Sequence, residues 1–210
     1  MQYTIFDTLI VKTLMIWLSR FILKISGWRI EGSLPDIRKI VLIAAPHTSN
    51  WDFPITIFIA FAVKAKIFWM GKDALFRFPF GALFKWLGGI PVDRSRSNNI
   101  VEQMIRKFSD NERLIVTIPP SGTRKKVMKW KTGFYYIAIG ADVPVVLAFL
   151  DYRKKTGGFG PVFFPTGDIE SDMKEIRSFY SGIHGKNTVT EEPLFVNPGC
   201  MEKQNEMIAP

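Results

Sequence analysis

The sequence predicts an α/β fold with a central mixed, mostly parallel sheet flanked by helices, and an N-terminal amphipathic helix ahead of the sheet. Two observations carry this prediction. Short runs rich in Ile, Val and Leu alternate along the chain with segments of helical period, which is typical of parallel strands joined by helices. The chain has 210 residues and no internal repeat, so it is long enough for one sizeable domain.

The individual elements follow from local patterns. Strands are predicted at 38–45, 65–70, 113–118, 143–150 and 161–164, where apolar and β-branched residues are concentrated, and 88–94 is predicted to be a turn that leads into a short strand. Helices are predicted at 8–25, 52–64, 98–109, 132–140 and 168–180, and the segment 72–87 is helical or irregular around Pro79 and Gly81. A turn-rich connector is expected at 31–36. The glycine-rich run 157–160 predicts a flexible hairpin or loop.

The N-terminal helix carries an apolar stripe with two possible interpretations. Its members recur at three- and four-residue steps: Ile10, Leu14, Trp17, Leu18, Phe21, Ile22 and Ile25. Such a stripe either covers the core or lies on a membrane surface. A tryptophan within the stripe and three basic residues in the same helix favour the membrane. The predicted organisation is therefore a membrane-associating helix at 1–28 and a second domain at 29–210.

The amino-acid composition favours a membrane surface over a nucleic acid as the binding partner. Hydrophobic residues make up 47% of the chain, aromatic residues 14%, and the formal net charge is +9. An anionic membrane surface suits this combination better than a nucleic acid, because no zinc spacing, recognition helix or RNP-like motif is found. No apolar run reaches the roughly 20 residues needed to span a bilayer. The single cysteine, Cys200, allows no internal disulfide, which is consistent with a cytoplasmic compartment.

A histidine five residues ahead of an aspartate is the most informative local feature. His47 and Asp52 would lie roughly 140° apart on an unbroken helix, so they could not face each other there. A strand ending near Pro46, a turn, and a helix starting near 48–50 would bring them together. A carboxylate can then orient an imidazole that acts as a general base. No Ser or Cys nucleophile accompanies the pair, so the base would act on a substrate hydroxyl; the alternative is a partly buried His beside an unrelated Asp.

Two further segments follow predicted strands and should lie at the same edge of the sheet. Arg94 ends the first segment, and the second is the loop 119–124, followed by Lys131. Between 121 and 141 basic residues alternate with aromatic ones and no acid occurs. Such a loop suits a ligand with a phosphate head and an apolar tail, whereas the alternative is a solvated basic face. No nucleotide-binding P-loop spacing is present.

These segments together resemble the motifs of the glycerolipid acyltransferases, the family of 1-acylglycerol-3-phosphate acyltransferases. The segment from His47 to Asp52 resembles their H-x4-D motif, and 89–94 resembles a block with an apolar-Pro-apolar core that ends in Arg. Residues 120–124 are similar to a P-E-G-T-R block, and 143–146 to a fourth, β-rich block around a proline. All four occur in the family's order. Ser121 stands where the family usually has Glu, which bears on the choice of acceptor.

The resemblance implies transfer of a fatty acyl group from acyl-coenzyme A or acyl carrier protein to the hydroxyl of a lysophospholipid, with 1-acylglycerol-3-phosphate giving phosphatidic acid. His47 would be the general base and Asp52 would orient it. The acceptor and its phosphate would be bound by Arg94, Ser121, Gly122, Thr123, Arg124 and Lys131. The reaction would need no metal or cofactor, only the thioester as co-substrate, and would occur at the cytoplasmic face of a membrane, with the protein peripheral or monotopic.

Three other functions remain open at this point. The acceptor could be a different lysolipid, such as a lyso-ornithine lipid. The protein could bind membrane lipids with little or no catalysis, or it could be a basic nucleic-acid binder. The second histidine, His184, has no acidic partner at a recognisable spacing and is expected at the surface.

Overall fold

One seven-stranded sheet organises the chain in the computed structural model, which describes residues 2–93, 97–125, 127 and 129–187. Its strands are β1 (Arg29–Glu31), β2 (Lys39–Ala45), β3 (Phe68–Lys72), β4 (Gly89–Val92), β5 (Leu114–Ile118), β6 (Val145–Asp151) and β7 (Thr156–Phe163). The helices are α1 (Leu9–Ile25), α2 (Asp52–Ala62), α3 (Gly81–Trp86), α4 (Ser97–Ser109), α5 (Gly133–Gly140) and α6 (Ile169–Tyr180), with a 3-10 turn at Asp73–Phe76.

The sheet is mostly parallel. The strand order is β1-β7-β6-β2-β5-β3-β4, and β2 to β6 all run in one direction. Strand β7 pairs with β6 in the antiparallel sense, and β1 follows β7 in parallel. The predicted fold class is therefore confirmed. The carboxyl ends of five strands also meet at one edge of the sheet.

The edge strand β1 and its neighbour β7 differ from the sequence prediction. The expected flexible loop at 157–160 is wrong, because these residues lie within β7. A Cβ atom at Gly158 would run into the backbone carbonyl of Glu31, so the glycine allows β1 to approach β7 closely. Strand β1 was not predicted because its three residues are all exposed and carry no alternating pattern.

Alternate residues of the central strands point into two separate cores. Val41 and Ile43 of β2 pack on one face with apolar residues from α4, α5 and α6. Ile40 and Leu42 pack on the opposite face with residues from α1 and α2. This arrangement follows from the period of two in a strand that is covered on both sides.

The apolar stripe of α1 faces away from the core. Leu23 and Ser19 point inwards, whereas Leu14, Trp17 and Phe21 are 60–70% exposed. The interpretation that the stripe covers the core is therefore wrong. Within the described residues, no helix has both the length and the apolar character that crossing a membrane requires.

Candidate active site

The turn between β2 and α2 brings His47 and Asp52 together. Strand β2 ends at Ala45 and α2 begins at Asp52, so the predicted strand–turn–helix is confirmed. The carboxylate Oδ2 of Asp52 accepts the backbone N–H groups of Thr48 and Ser49 at 2.8 and 2.9 Å. The turn is thus folded around the carboxylate that it carries.

The imidazole of His47 contacts the same carboxylate oxygen. Its Nδ1 lies 3.0 Å from Oδ2 of Asp52. Asp52 is buried, while the His47 side chain keeps 24% of its surface exposed. The pair therefore combines a shielded acid with a histidine that a ligand can reach.

Hydrogen bonds keep the Asp52 carboxyl charged. Burial raises its pKa, but hydrogen bonds from His47, Ser49, Tyr152 and Thr48 lower it more, so the net pKa lies below the usual value. Its place in the first turn of α2, at the positive end of the helix dipole, also favours a negative charge. A charged carboxylate can only accept hydrogen bonds. His47 consequently carries its proton on Nδ1, and its Nε2 lone pair is left available as a base.

An apolar cavity of about 420 Å³ opens beside His47. It runs between α2 and the sheet, with Ile57 and Ala60 on the helix side and Leu42, Ala148 and Phe159 on the sheet side. Aromatic rings of Phe53, Trp69 and Phe84 form a further part of the wall. The cavity suits an extended hydrocarbon whose reactive end lies next to the imidazole.

The loop after β5 contributes a cation to this cavity. The exposed side chain of Arg124 lines it together with His47. In the same loop the Ser121 hydroxyl donates to the Thr123 carbonyl at 2.8 Å, and Gly122 adopts a φ of +64° that favours glycine. The Lys131 side chain lies across Gly122, and its backbone N–H donates to Pro120 at 2.8 Å.

The structure thus brings most of the predicted site residues to one edge of the sheet. His47, Asp52 and Arg124 line one cavity, and Lys131 packs on the loop that carries Ser121 to Arg124. The Ser121 hydroxyl is engaged within its own loop, so its contact with an acceptor stays a prediction. Arg94 and Cys200 lie outside the described residues. In the described part of the chain, no three His, Cys, Asp or Glu side chains cluster as metal ligands would.

Comparison with known proteins gives the family and the fold. The family model Acyltransferase matches residues 29–148, which is more than half of the chain. The chain belongs to the acyltransferase family. Its fold is similar to the crystal structure of the 1-acyl-sn-glycerophosphate acyltransferase PlsC from Thermotoga maritima, with a TM-score of 0.56 and 18% identity over 80% of this chain and 76% of that one. None of the curated proteins gives a significant match.

Two side chains of this acyltransferase support the His47 turn without having been predicted. The Tyr152 hydroxyl donates to Oδ1 of Asp52 at 2.7 Å. The Asn187 side-chain amide donates to the Thr48 carbonyl at 2.7 Å. Tyr152 directly follows a predicted strand, so the sequence could have placed it at the sheet edge where the site lies. Asn187 lies in a weakly patterned segment, and no sequence feature indicates its role. His184 is exposed, as expected, with its ring near the Gly182 carbonyl.

Lowering the pH should weaken the acyltransferase fold through Asp52. The pKa of this carboxyl is lower in the folded chain, so its stabilising contribution is complete above the unfolded-state pKa of about 3.9 and is lost as the pH falls through the folded-state pKa. The difference in free energy of unfolding between the wild type and Asp52→Asn should therefore be largest near neutral pH and shrink in acid.

Urea unfolding of both proteins at a series of pH values measures this difference. Asp7, whose pKa is also lowered, is present in both proteins, so its contribution cancels. A difference that stays constant down to about pH 3, below the usual carboxyl pKa, would contradict the stabilised charge.

Proposed function

We propose that this protein transfers a fatty acyl group from a thioester to the hydroxyl of a lysophospholipid. The observation that carries the proposal is the His47–Asp52 pair in the wall of an apolar cavity. Membership of the acyltransferase family supports the reaction class. The cavity supports a long hydrocarbon as the group that is moved, and the free Nε2 of His47 supports an alcohol as the group that attacks.

In the proposed reaction, His47 acts as a general base. Its Nε2 takes the proton of the acceptor hydroxyl as the oxygen attacks the thioester carbonyl. The tetrahedral intermediate then collapses, the carbon–sulfur bond breaks, and the departing thiolate takes the proton from His47, which gives a free thiol and restores the neutral imidazole. Asp52 stabilises the imidazolium that forms between the two steps. No residue of the protein is acylated, and the donor thioester serves as co-substrate without a metal or cofactor.

The acceptor proposed here is 1-acylglycerol-3-phosphate, which would give phosphatidic acid. Arg124 supports a phosphate contact, because its exposed side chain lines the cavity and makes no hydrogen bond or ion pair to any other described residue. Lys131, which crosses the same loop, and Arg94 would add positive charge. Ser121, in place of the family's usual Glu, leaves another lysolipid as a second candidate acceptor. The donor would be acyl-coenzyme A or acyl carrier protein.

Replacing His47 by Ala should lower acyl transfer by about 10²- to 10⁴-fold, since that is the usual contribution of a general base. The assay uses purified protein, lysophosphatidate in detergent, and both acyl-coenzyme A and acyl carrier protein as donors. His184→Ala is the matched control, because it removes the chain's other imidazole at an exposed position. Near-normal turnover by a folded His47→Ala variant would exclude His47 as the base.

The exposed stripe of α1 supports a location at the cytoplasmic face of a membrane. All of its side chains except that of Ile22 stand 47–75% exposed, and the helix also carries Lys12, Arg20 and Lys24. Apolar side chains beside basic ones favour an anionic bilayer surface. In this position α1 would hold the cavity mouth close to the acyl lipids that the reaction uses.

The double variant Trp17→Ser/Phe21→Ser should bind anionic phosphatidylglycerol vesicles at least about tenfold more weakly, because two large apolar side chains no longer enter the bilayer. Co-sedimentation with vesicles measures the binding. Ile139→Ser is the control, since Ile139 is an exposed apolar residue of α5 on the opposite face of the sheet. Equal binding by the double variant and the control would argue against α1 as the membrane contact.

A further inference from the structure

We propose that Tyr152 is a positioning residue of the acyl-transfer site, which holds the Asp52 carboxylate in the orientation that directs its other oxygen to His47. The inference rests on the proposed function of the His47–Asp52 pair. It adds a third member to that pair from a distant part of the chain, 100 residues beyond Asp52.

The two oxygens of Asp52 have different partners. Oδ2 accepts from His47 Nδ1 and from the backbone N–H groups of Thr48 and Ser49. Oδ1 accepts from the Tyr152 hydroxyl at 2.7 Å, the one donor to this oxygen among the described residues. The turn alone therefore fixes one oxygen, and Tyr152 fixes the rotation of the carboxyl plane about it.

The tyrosine is itself held from two sides. Its backbone N–H donates to the His184 carbonyl at 2.8 Å. Its ring meets the Trp28 ring edge-on, with centroids 5.0 Å apart and planes at 89°. Because Tyr152 directly follows β6, the sheet also sets the position of its backbone. Because these contacts fix the tyrosine independently of Asp52, its hydroxyl can determine the orientation of the carboxylate.

Tyr152 stays a proton donor throughout the working pH range. Burial and the hydrogen bond to Asp52 raise the pKa of its hydroxyl far above the usual value for tyrosine. Two charged side chains close to it in sequence, Asp151 and Lys155, are engaged elsewhere. Asp151 accepts the backbone N–H groups of Arg153 and Lys154, and the Lys155 ammonium donates to the Ser26 carbonyl. Asp52 is therefore the ionised group to which the tyrosine hydroxyl donates its hydrogen bond.

The contact also joins the site to the N-terminal helix. Trp28 lies just beyond the end of α1, and its backbone N–H donates to Leu23 in the last turns of that helix at 2.8 Å. A shift in the position of α1 against the sheet would be transmitted to the Asp52 carboxylate through Trp28 and Tyr152. Trp28, which is bonded to α1 through its backbone, is thus connected to the proposed base by three consecutive side-chain contacts: Trp28–Tyr152, Tyr152–Asp52 and Asp52–His47.

Tyr152→Phe tests the inference because it keeps the ring and removes the hydroxyl. Without this donor the charged form of Asp52 is less favoured, so the pKa of its carboxyl should rise by about one unit, the order expected for one hydrogen bond to a charged group. The acidic limb of the kcat/KM profile reports protonation of the proposed base, His47. It should also move to higher pH, because a carboxylate that has lost one donor holds the imidazolium proton more strongly. We expect kcat to fall by about tenfold, with the KM for both substrates little changed.

Tyr135→Phe is the matched control. Tyr135 also donates to a buried carboxylate, Asp172, at 2.7 Å, but it packs in the core on the other face of the sheet. Both variants should lose stability, whereas only Tyr152→Phe should move the pH profile. Trp28→Leu, which leaves the hydroxyl but loosens the ring, should give a smaller shift in the same direction.

Carbon-13 NMR of the aspartate carboxyls in the unliganded protein measures the Asp52 pKa without any turnover, and Asp52→Asn assigns the signal. This separates the two proposals. Failure of the wild type to acylate any lysophospholipid would remove the proposed function, and near-normal turnover by His47→Ala would remove the proposed base, whatever the carboxyl does. An Asp52 pKa and a pH profile in Tyr152→Phe that match those of Tyr135→Phe would overturn the positioning role while leaving the function in place.

Discussion

The site depends on one buried negative charge and the four hydrogen bonds that it accepts. A carboxylate removed from water is costly unless donors replace the lost solvent. Here two donors come from the turn that precedes Asp52, one is the His47 ring, and one is the Tyr152 hydroxyl. The same hydrogen bonds offset the cost of burying the charge, stabilise the turn, and determine which imidazole nitrogen carries the proton. Local stability and the proposed chemistry therefore have one physical origin.

The sheet explains why this charge lies next to an apolar cavity. Five strands end at the same edge, so polar loops collect there, while both faces of the sheet are covered by apolar side chains. On the face beneath α2 the packing leaves space between helix and strands, and that space opens at the His47 turn. A hydrocarbon chain and a proton acceptor can thus meet without burying an unpaired polar group. The exposed stripe of α1 lies on this same side of the sheet.

What the sequence could predict was governed by short-range rules. The His47 turn was predictable because an apolar strand, a proline and residues suited to a helix start follow each other within the chain. The contact of Tyr152 with Asp52 was not, because it depends on how two parallel strands are ordered in the sheet. Strand β1 was missed because its pairing with Gly158 is a tertiary contact without a local pattern. The helical period of α1 showed that one face is apolar but could not show that this face is left uncovered.

The most direct test of this account is a crystal structure with a non-reactive acyl-thioester analogue. The account predicts that the hydrocarbon chain lies in the cavity between α2 and the sheet, with the thioester carbonyl at the cavity mouth beside Nε2 of His47. An analogue bound with its chain outside that cavity, or with its carbonyl out of reach of an alcohol activated by His47, would contradict it.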